Sequence, residues 1–142
     1  MPTRKAKAVW EGTLKEGKGR YEAESWTVQG AYTFTSRFGE GGASNPEELL
    51  AAAEASCFSM ALSGSLDKNG TPSTSITTDA ACTVEKVGDA WQITTIALDV
   101  AASVANIDDA KFQEIAKATL AGCPVSKALN PNVKLEINAK LV

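Results

Sequence analysis

The chain has 142 residues, 44% hydrophobic and 22% charged, with a formal net charge of −3. That length predicts a single domain over residues 1–142, burying about 68–70% of its unfolded surface, so no metal or disulfide staple is needed for a core. Charges of both signs are interspersed without a basic patch, which argues against nucleic acid as a partner, and no uninterrupted apolar run approaches the ~20 residues that span a bilayer.

Met1-Pro2-Thr3-Arg4-Lys5-Ala6-Lys7 is basic but leads into no apolar segment, so no secretory signal is expected. The three cysteines are an odd count that fits no disulfide framework. Both points predict a reducing, cytoplasmic compartment, where a disulfide that forms is transient and catalytic. The chain has no histidine. Chemistry near neutral pH therefore falls to thiols, carboxylates and arginines.

In chain order, alternation over residues 5–10 predicts a first strand, followed by a turn at Lys15-Glu16-Gly17-Lys18-Gly19. Residues 20–28, with Tyr21, Ala23 and Trp26, read as a second strand, and residues 32–38 as a third after Gly30. After the Gly39–Ala43 loop comes a strong helix start. Ser44 or Asn45 can cap, Pro46 suits the first position, and Glu47 and Glu48 favour the positive end of the dipole. Alanine, leucine and methionine then carry the helix to about Asp67, before Asn69-Gly70 and Pro72. Polar residues are scarce along its middle, as in a helix covered on most sides.

Residues 75–86 alternate with Ile76, Thr78, Ala80, Cys82 and Val84 on one face, and residues 91–104 form their partner across a hairpin near Asp89. Residues 107–121 make an amphipathic helix opened by Asp108 and Asp109 and stopped at Gly122. A short helix starts at Pro124, and residues 133–141 close the chain as a strand. The order β-β-β-α-β-β-α-α-β predicts an α+β fold in which antiparallel sheets cover one long apolar helix.

Cys57 stands mid-helix among Ser56, Phe58, Ser59 and Met60. Taken alone it reads as a buried core cysteine, because a mid-helix site does not lower a thiol pKa unless a cation is brought to it. Cys123 precedes Pro124 at a helix N-cap, where unsatisfied N–H groups and the dipole favour a thiolate, although a plain capping residue is an equal reading. Cys82 reads as core. Arg37 reads equally as a solvated surface charge. Glu47 and Glu48 read equally as first-turn acids worth ~0.3–1 kcal/mol to a helix dipole.

In combination, four segments change those odds: Arg37-Phe38, Asn45-Pro46-Glu47-Glu48-Leu49, Ala55-Ser56-Cys57-Phe58-Ser59-Met60-Ala61-Leu62 and Gly122-Cys123-Pro124-Val125-Ser126-Lys127-Ala128-Leu129. Together with Trp10-Glu11-Gly12 and the chain length, they resemble the OsmC/Ohr family of thiol peroxidases, and the wording around both cysteines is similar to the OsmC branch. The resemblance implies an intertwined homodimer with two sites between subunits, and reduction of hydroperoxides, organic ones preferred, without metal, flavin or haem. It also implies a peroxidatic Cys57, a resolving Cys123, an active-site arginine at Arg37 and its glutamate at Glu47. The implied reductant is a small dithiol or a lipoyl-bearing protein. Where the family often has histidine three residues before the first cysteine, this chain has Glu54, with an expected change in the local field and no change in catalytic roles.

Ten residues of continuous helix separate Glu47 from Cys57 by about 15 Å. Antiparallel pairing of this helix with its copy, crossing near Ala51, Ala52, Ala53 and Ala55, would bring Glu47 of one chain towards Cys57 of the other. A composite site is the expectation. Two other readings stay open: a thiol–disulfide reductase or redox sensor using the same cysteines, and a non-catalytic dimer that binds apolar ligands.

Overall fold

A tyrosine facing a glycine recurs across the first sheet: Gly19 pairs with Tyr32, and Tyr21 with Gly30. The sheet is an antiparallel meander of β1 (Ala6–Glu11), β2 (Lys18–Ala23) and β3 (Gln29–Tyr32). Trp10, Tyr32 and Tyr21 form an aromatic row with centroids 5.5 and 6.1 Å apart, where the glycines leave room for the rings. The computed structural model describes residues 1–142 and divides them into two compact units, residues 1–48 and 49–142.

The third strand is shorter than the sequence predicts. It ends at Tyr32, and residues 34–38 form a short helix, α1 (Phe34–Phe38). The cause is a capping box. The Thr33 hydroxyl accepts from the Ser36 N–H at 3.0 Å, and the Ser36 hydroxyl accepts from the Thr33 N–H at 2.8 Å. Local polar bonding thus overrides the strand-like alternation of Tyr32, Phe34 and Phe38, and Arg37 sits in the last turn of a helix instead of closing a strand.

The long helix α2 (Pro46–Lys68) is unbroken over 23 residues. Asn45 is its cap, accepting from the Glu48 N–H at 2.8 Å, with Pro46 at the first helical position. At the other end, Gly70 at φ 78 gives the left-handed residue of a Schellman stop, with Thr71 N–H bonded to Leu66 O and Gly70 N–H to Asp67 O.

In the second unit, β4 (Ser73–Val87) and β5 (Ala90–Val104) form a long hairpin through Gly88-Asp89. Helices α3 (Asp109–Gly122) and α4 (Pro124–Leu129) then lead to β6 (Lys134–Leu141). The sequence reading expects antiparallel sheets throughout, but β6 pairs with β5 in parallel, from Thr95 opposite Lys134 to Ala102 opposite Leu141. The two intervening helices act as the crossover that returns the chain in the same direction. The core gathers Phe58, Leu62 and Leu66 of α2, Ile96, Leu98, Val100 and Ala102 of β5, and Phe112 and Ala116 of α3.

The buried face of α2 is one stripe at four-residue spacing: Glu54, Phe58, Leu62 and Leu66, each 0% exposed. Ala52, Ala53, Ser56 and Met60 are exposed. By length and composition α2 is apolar enough to cross a membrane, a test that core helices of soluble proteins also pass. Its stripe contributes Phe58, Leu62 and Leu66 to the second unit's core, and 22% of its apolar window is buried within the chain.

Candidate active site

Cys123 is placed by a junction between two helices. Its N–H caps the end of α3 by bonding to Thr119 O at 2.8 Å, and its carbonyl accepts from Lys127 N–H at 2.9 Å to begin α4. Pro124 forces the residue before it out of helical geometry, and Cys123 is extended at φ −60, ψ 131. Its side chain makes no capping bond. The sulfur turns instead to the middle of α2, where the Cys123 and Cys57 sulfurs share a hydrogen bond at 2.9 Å. Cys123 is 1% exposed, while Cys57 is half-buried. A disulfide has sulfurs about 2.05 Å apart, so roughly 1 Å of movement would close the bond.

Burial is the main influence on the Cys57 thiol, and it pushes the pKa up. The hydrogen bond with Cys123 and the charges of Cys123 and Glu54 push the same way, and a backbone hydrogen bond from Val125 at the start of α4 opposes them. On balance Cys57 is held in its neutral form. A lowered pKa would require a cation at the sulfur.

One turn from the sulfurs lies a second contact between the same two helices. Ser126 donates to Glu54 Oε1 at 2.5 Å, and both side chains are buried, at 1% and 0% exposure. Glu54 Oε2 is buried without a hydrogen-bond partner.

Arg37 and Glu47 are an ion pair within the first unit. Nε and Nη2 of Arg37 both reach Oε1 of Glu47, each at 2.9 Å. A fork spanning both carboxylate oxygens is the arrangement that would fix the guanidinium's aim most firmly; here one oxygen takes both donors and Oε2 is buried with no partner. Glu47 is 5% exposed, and the Arg37 side chain is 37% exposed with its guanidinium 5.0 Å from the centre of the Phe38 ring. Cys82, read from the sequence as core, is half-buried on β4 and packs against the hydrophobic cluster. A cavity of about 640 Å³ runs between α2 and α3, lined by Ala61, Ser65, Ile115, Ala118 and Gly122, and ends at Cys123.

The family model described as OsmC-like protein matches residues 39–138. The chain belongs to the OsmC-like family. It is 45% identical over 139 residues to the protein named Peroxiredoxin OsmC of Escherichia coli strain K12, covering 96% of each chain. The fold is shared with an organic hydroperoxide resistance protein OsmC from Legionella pneumophila (TM-score 0.78, 21% identity, 99% and 98% of the two chains covered). It is shared also with an organic hydroperoxide resistance protein from Elizabethkingia anophelis (TM-score 0.82, 17% identity, 100% and 98% covered).

In this OsmC-like chain the two cysteines singled out in the sequence come together in the structure. Ser126 carries no role in the sequence motifs, and Glu54 only a change in local field. The signal for Glu54 was present: it falls on the same four-residue stripe as Phe58, Leu62 and Leu66, where a carboxylate needs a buried partner.

Proposed function

We propose that the chain is a cysteine-based peroxidase that reduces organic hydroperoxides, and hydrogen peroxide more weakly, with residues 1–142 acting as one functional domain. The observation that carries this reading is the 2.9 Å approach of the Cys57 and Cys123 sulfurs. It is supported by the names of the relatives, which are a peroxiredoxin and organic hydroperoxide resistance proteins.

In this reading the Cys57 thiolate attacks one peroxide oxygen. An S–O bond forms, the O–O bond breaks, and the alkoxide leaves as alcohol on taking a proton. The Cys57 sulfenic acid is then attacked by Cys123. An S–S bond forms, the S–O bond breaks, and water leaves with the remaining proton. Two thiols are oxidised and one peroxide is reduced, and the sulfinic stage is avoided. A dithiol, free or lipoyl-borne, reopens the disulfide by exchange, which suits a reducing cytoplasm.

A homodimer completes the site in this reading. Cys57 needs a cation to ionise, because its own surroundings hold the thiol neutral. Glu47 and Cys57 are ten residues apart on an unbroken helix, about 15 Å, so a second copy is assigned to bring the Arg37–Glu47 pair to the thiols. Only 22% of the apolar window of α2 is buried within the chain, leaving Ala52, Ala53 and Met60 for such a partner to cover.

The test is steady-state peroxide consumption with a dithiol as electron donor. Turnover that saturates with cumene hydroperoxide and exceeds that with hydrogen peroxide is expected. Reduction of model disulfides with no peroxide consumption would point to a thiol–disulfide reductase, and neither activity to a binding protein.

A further inference from the structure

Two contacts join α2 to α4, and they repeat with the same spacing on both helices. Glu54 precedes Cys57 by three residues, and Cys123 precedes Ser126 by three. Residues three apart on a helix are neighbours on one face, as Glu54 and Cys57 are, and a residue at the N-cap lies beside the third residue of the helix it opens, as Cys123 does beside Ser126. The Ser126–Glu54 hydrogen bond at 2.5 Å and the Cys123–Cys57 contact at 2.9 Å are therefore two rungs between the same pair of segments. The oxygen rung is buried at both ends. Cys123 has no side-chain capping bond to hold it, and α4 has only six residues, so little within α4 itself fixes where its first turn sits.

We propose that Glu54, acting through Ser126, is a positioning residue that seats Cys123 against Cys57 and places a buried carboxylate beside the thiol pair. The role rests on the disulfide chemistry proposed above, because seating matters only if the two sulfurs must bond.

A carboxylate at 0% exposure is costly unless its oxygens are satisfied. Ser126 satisfies Oε1, and Oε2 has no partner. For packing alone, an apolar residue on this stripe would serve better, as Phe58, Leu62 and Leu66 do at the next three positions. What the carboxylate supplies that an apolar side chain cannot is an acceptor strong enough to tether α4, and a charge one turn from the sulfur. That charge acts against ionisation of Cys57, together with Cys123 and against the Val125 backbone hydrogen bond. A seated pair with Cys57 protonated is held ready to resolve a sulfenic acid and is kept from reacting with oxidants until a cation ionises Cys57.

The variants separate the tether from the charge. Ser126→Ala breaks the rung and keeps the carboxylate. Ser126→Thr keeps a hydroxyl. Glu54→Gln keeps an oxygen acceptor for Ser126 and removes the charge. Reduced protein is given stepwise equivalents of cumene hydroperoxide, and the ratio of Cys57–Cys123 disulfide to Cys57 sulfinate is measured by mass spectrometry. The pH midpoint of Cys57 alkylation is measured in parallel. In Ser126→Ala that ratio falls about tenfold, the effect of losing one hydrogen bond to a charged group, and Ser126→Thr restores it. In Glu54→Gln the alkylation midpoint moves to lower pH. A wild-type ratio in Ser126→Ala overturns the tether, and an unmoved midpoint in Glu54→Gln overturns the charge. Should Ser126→Ala fail to fold, Ser126→Thr decides the tether, which a ratio at or below about one tenth of wild type overturns, and the Glu54→Gln midpoint still decides the charge. Absence of the disulfide in the wild-type protein would instead refute the peroxidase reading, while the Glu54→Gln midpoint continues to report the placement of charge.

Discussion

Cys57 and Cys123, 66 positions apart in the chain, hold their sulfur atoms 2.9 Å from each other. The contact follows from one local rule and one long-range fact. Pro124 makes Cys123 extended and ends α3, and α2 and α3 contribute to one core, with Thr119 near the end of α3 hydrogen-bonded to Ser65 of α2 at 3.2 Å.

Removing either sulfur separates their roles. Cys57→Ser is expected to abolish peroxide turnover. Cys123→Ser is expected to consume about one equivalent and then carry Cys57 to sulfinic acid, because the sulfenic intermediate has no thiol to trap it. Normal cycling of Cys123→Ser with a dithiol, measured by peroxide loss, would remove Cys123 from the resolving role.

The pH behaviour of Cys57 depends on whether a cation reaches it. Burial raises its pKa, and none of the groups acting on the sulfur within the chain is a positive charge. Folding therefore favours the protonated thiol. That contribution is complete below the unfolded-state thiol pKa and is lost as pH rises through the higher folded value. If a second copy supplies Arg37, the alkylation midpoint of Cys57 falls as protein concentration drives dimer formation, and Arg37→Ala abolishes the fall. A midpoint indifferent to both concentration and Arg37→Ala would exclude the composite site.

Arg37→Ala also tests stability. It strands a Glu47 carboxylate that is 5% exposed and already has one unpartnered oxygen. The cost is about 1–3 kcal/mol, below that of a fully buried pair because the Arg37 side chain is 37% exposed. Urea unfolding of Arg37→Ala against Arg37→Ala/Glu47→Gln measures it, and the double variant should recover part of the loss.

In the first sheet, Gly19→Ala would set a methyl group 2.5 Å from the Tyr32 ring and 2.8 Å from the Trp10 ring. Overpacking of this kind costs about 1–3 kcal/mol. The expected outcome is a lower thermal midpoint with disturbed near-ultraviolet circular dichroism from the Trp10–Tyr32 contact. An unchanged melt would mean that the aromatic row yields more easily than its spacing implies.

Much of this was legible in the sequence where a residue acts on its own neighbours. Asn45, Pro46, Glu47 and Glu48 announced the start of α2, Gly70 its end, and Pro124 the start of α4. The same local logic could have identified α1, but Thr33 and Ser36 were outweighed by strand-like alternation, and the capping box they form decides the conformation. The parallel pairing of β6 was not legible, because alternation fixes which face of a strand is buried and not which way its neighbour runs. The partnership of Glu54 with Ser126 depends on how α4 docks on α2, which no spacing within either helix reveals.

The most direct measurement is a disulfide map of fully reduced protein treated with one equivalent of cumene hydroperoxide. The account predicts that peptides containing Cys57 and Cys123 become linked, with Cys82 left reduced. Untouched thiols, or a link that runs to Cys82, would contradict it.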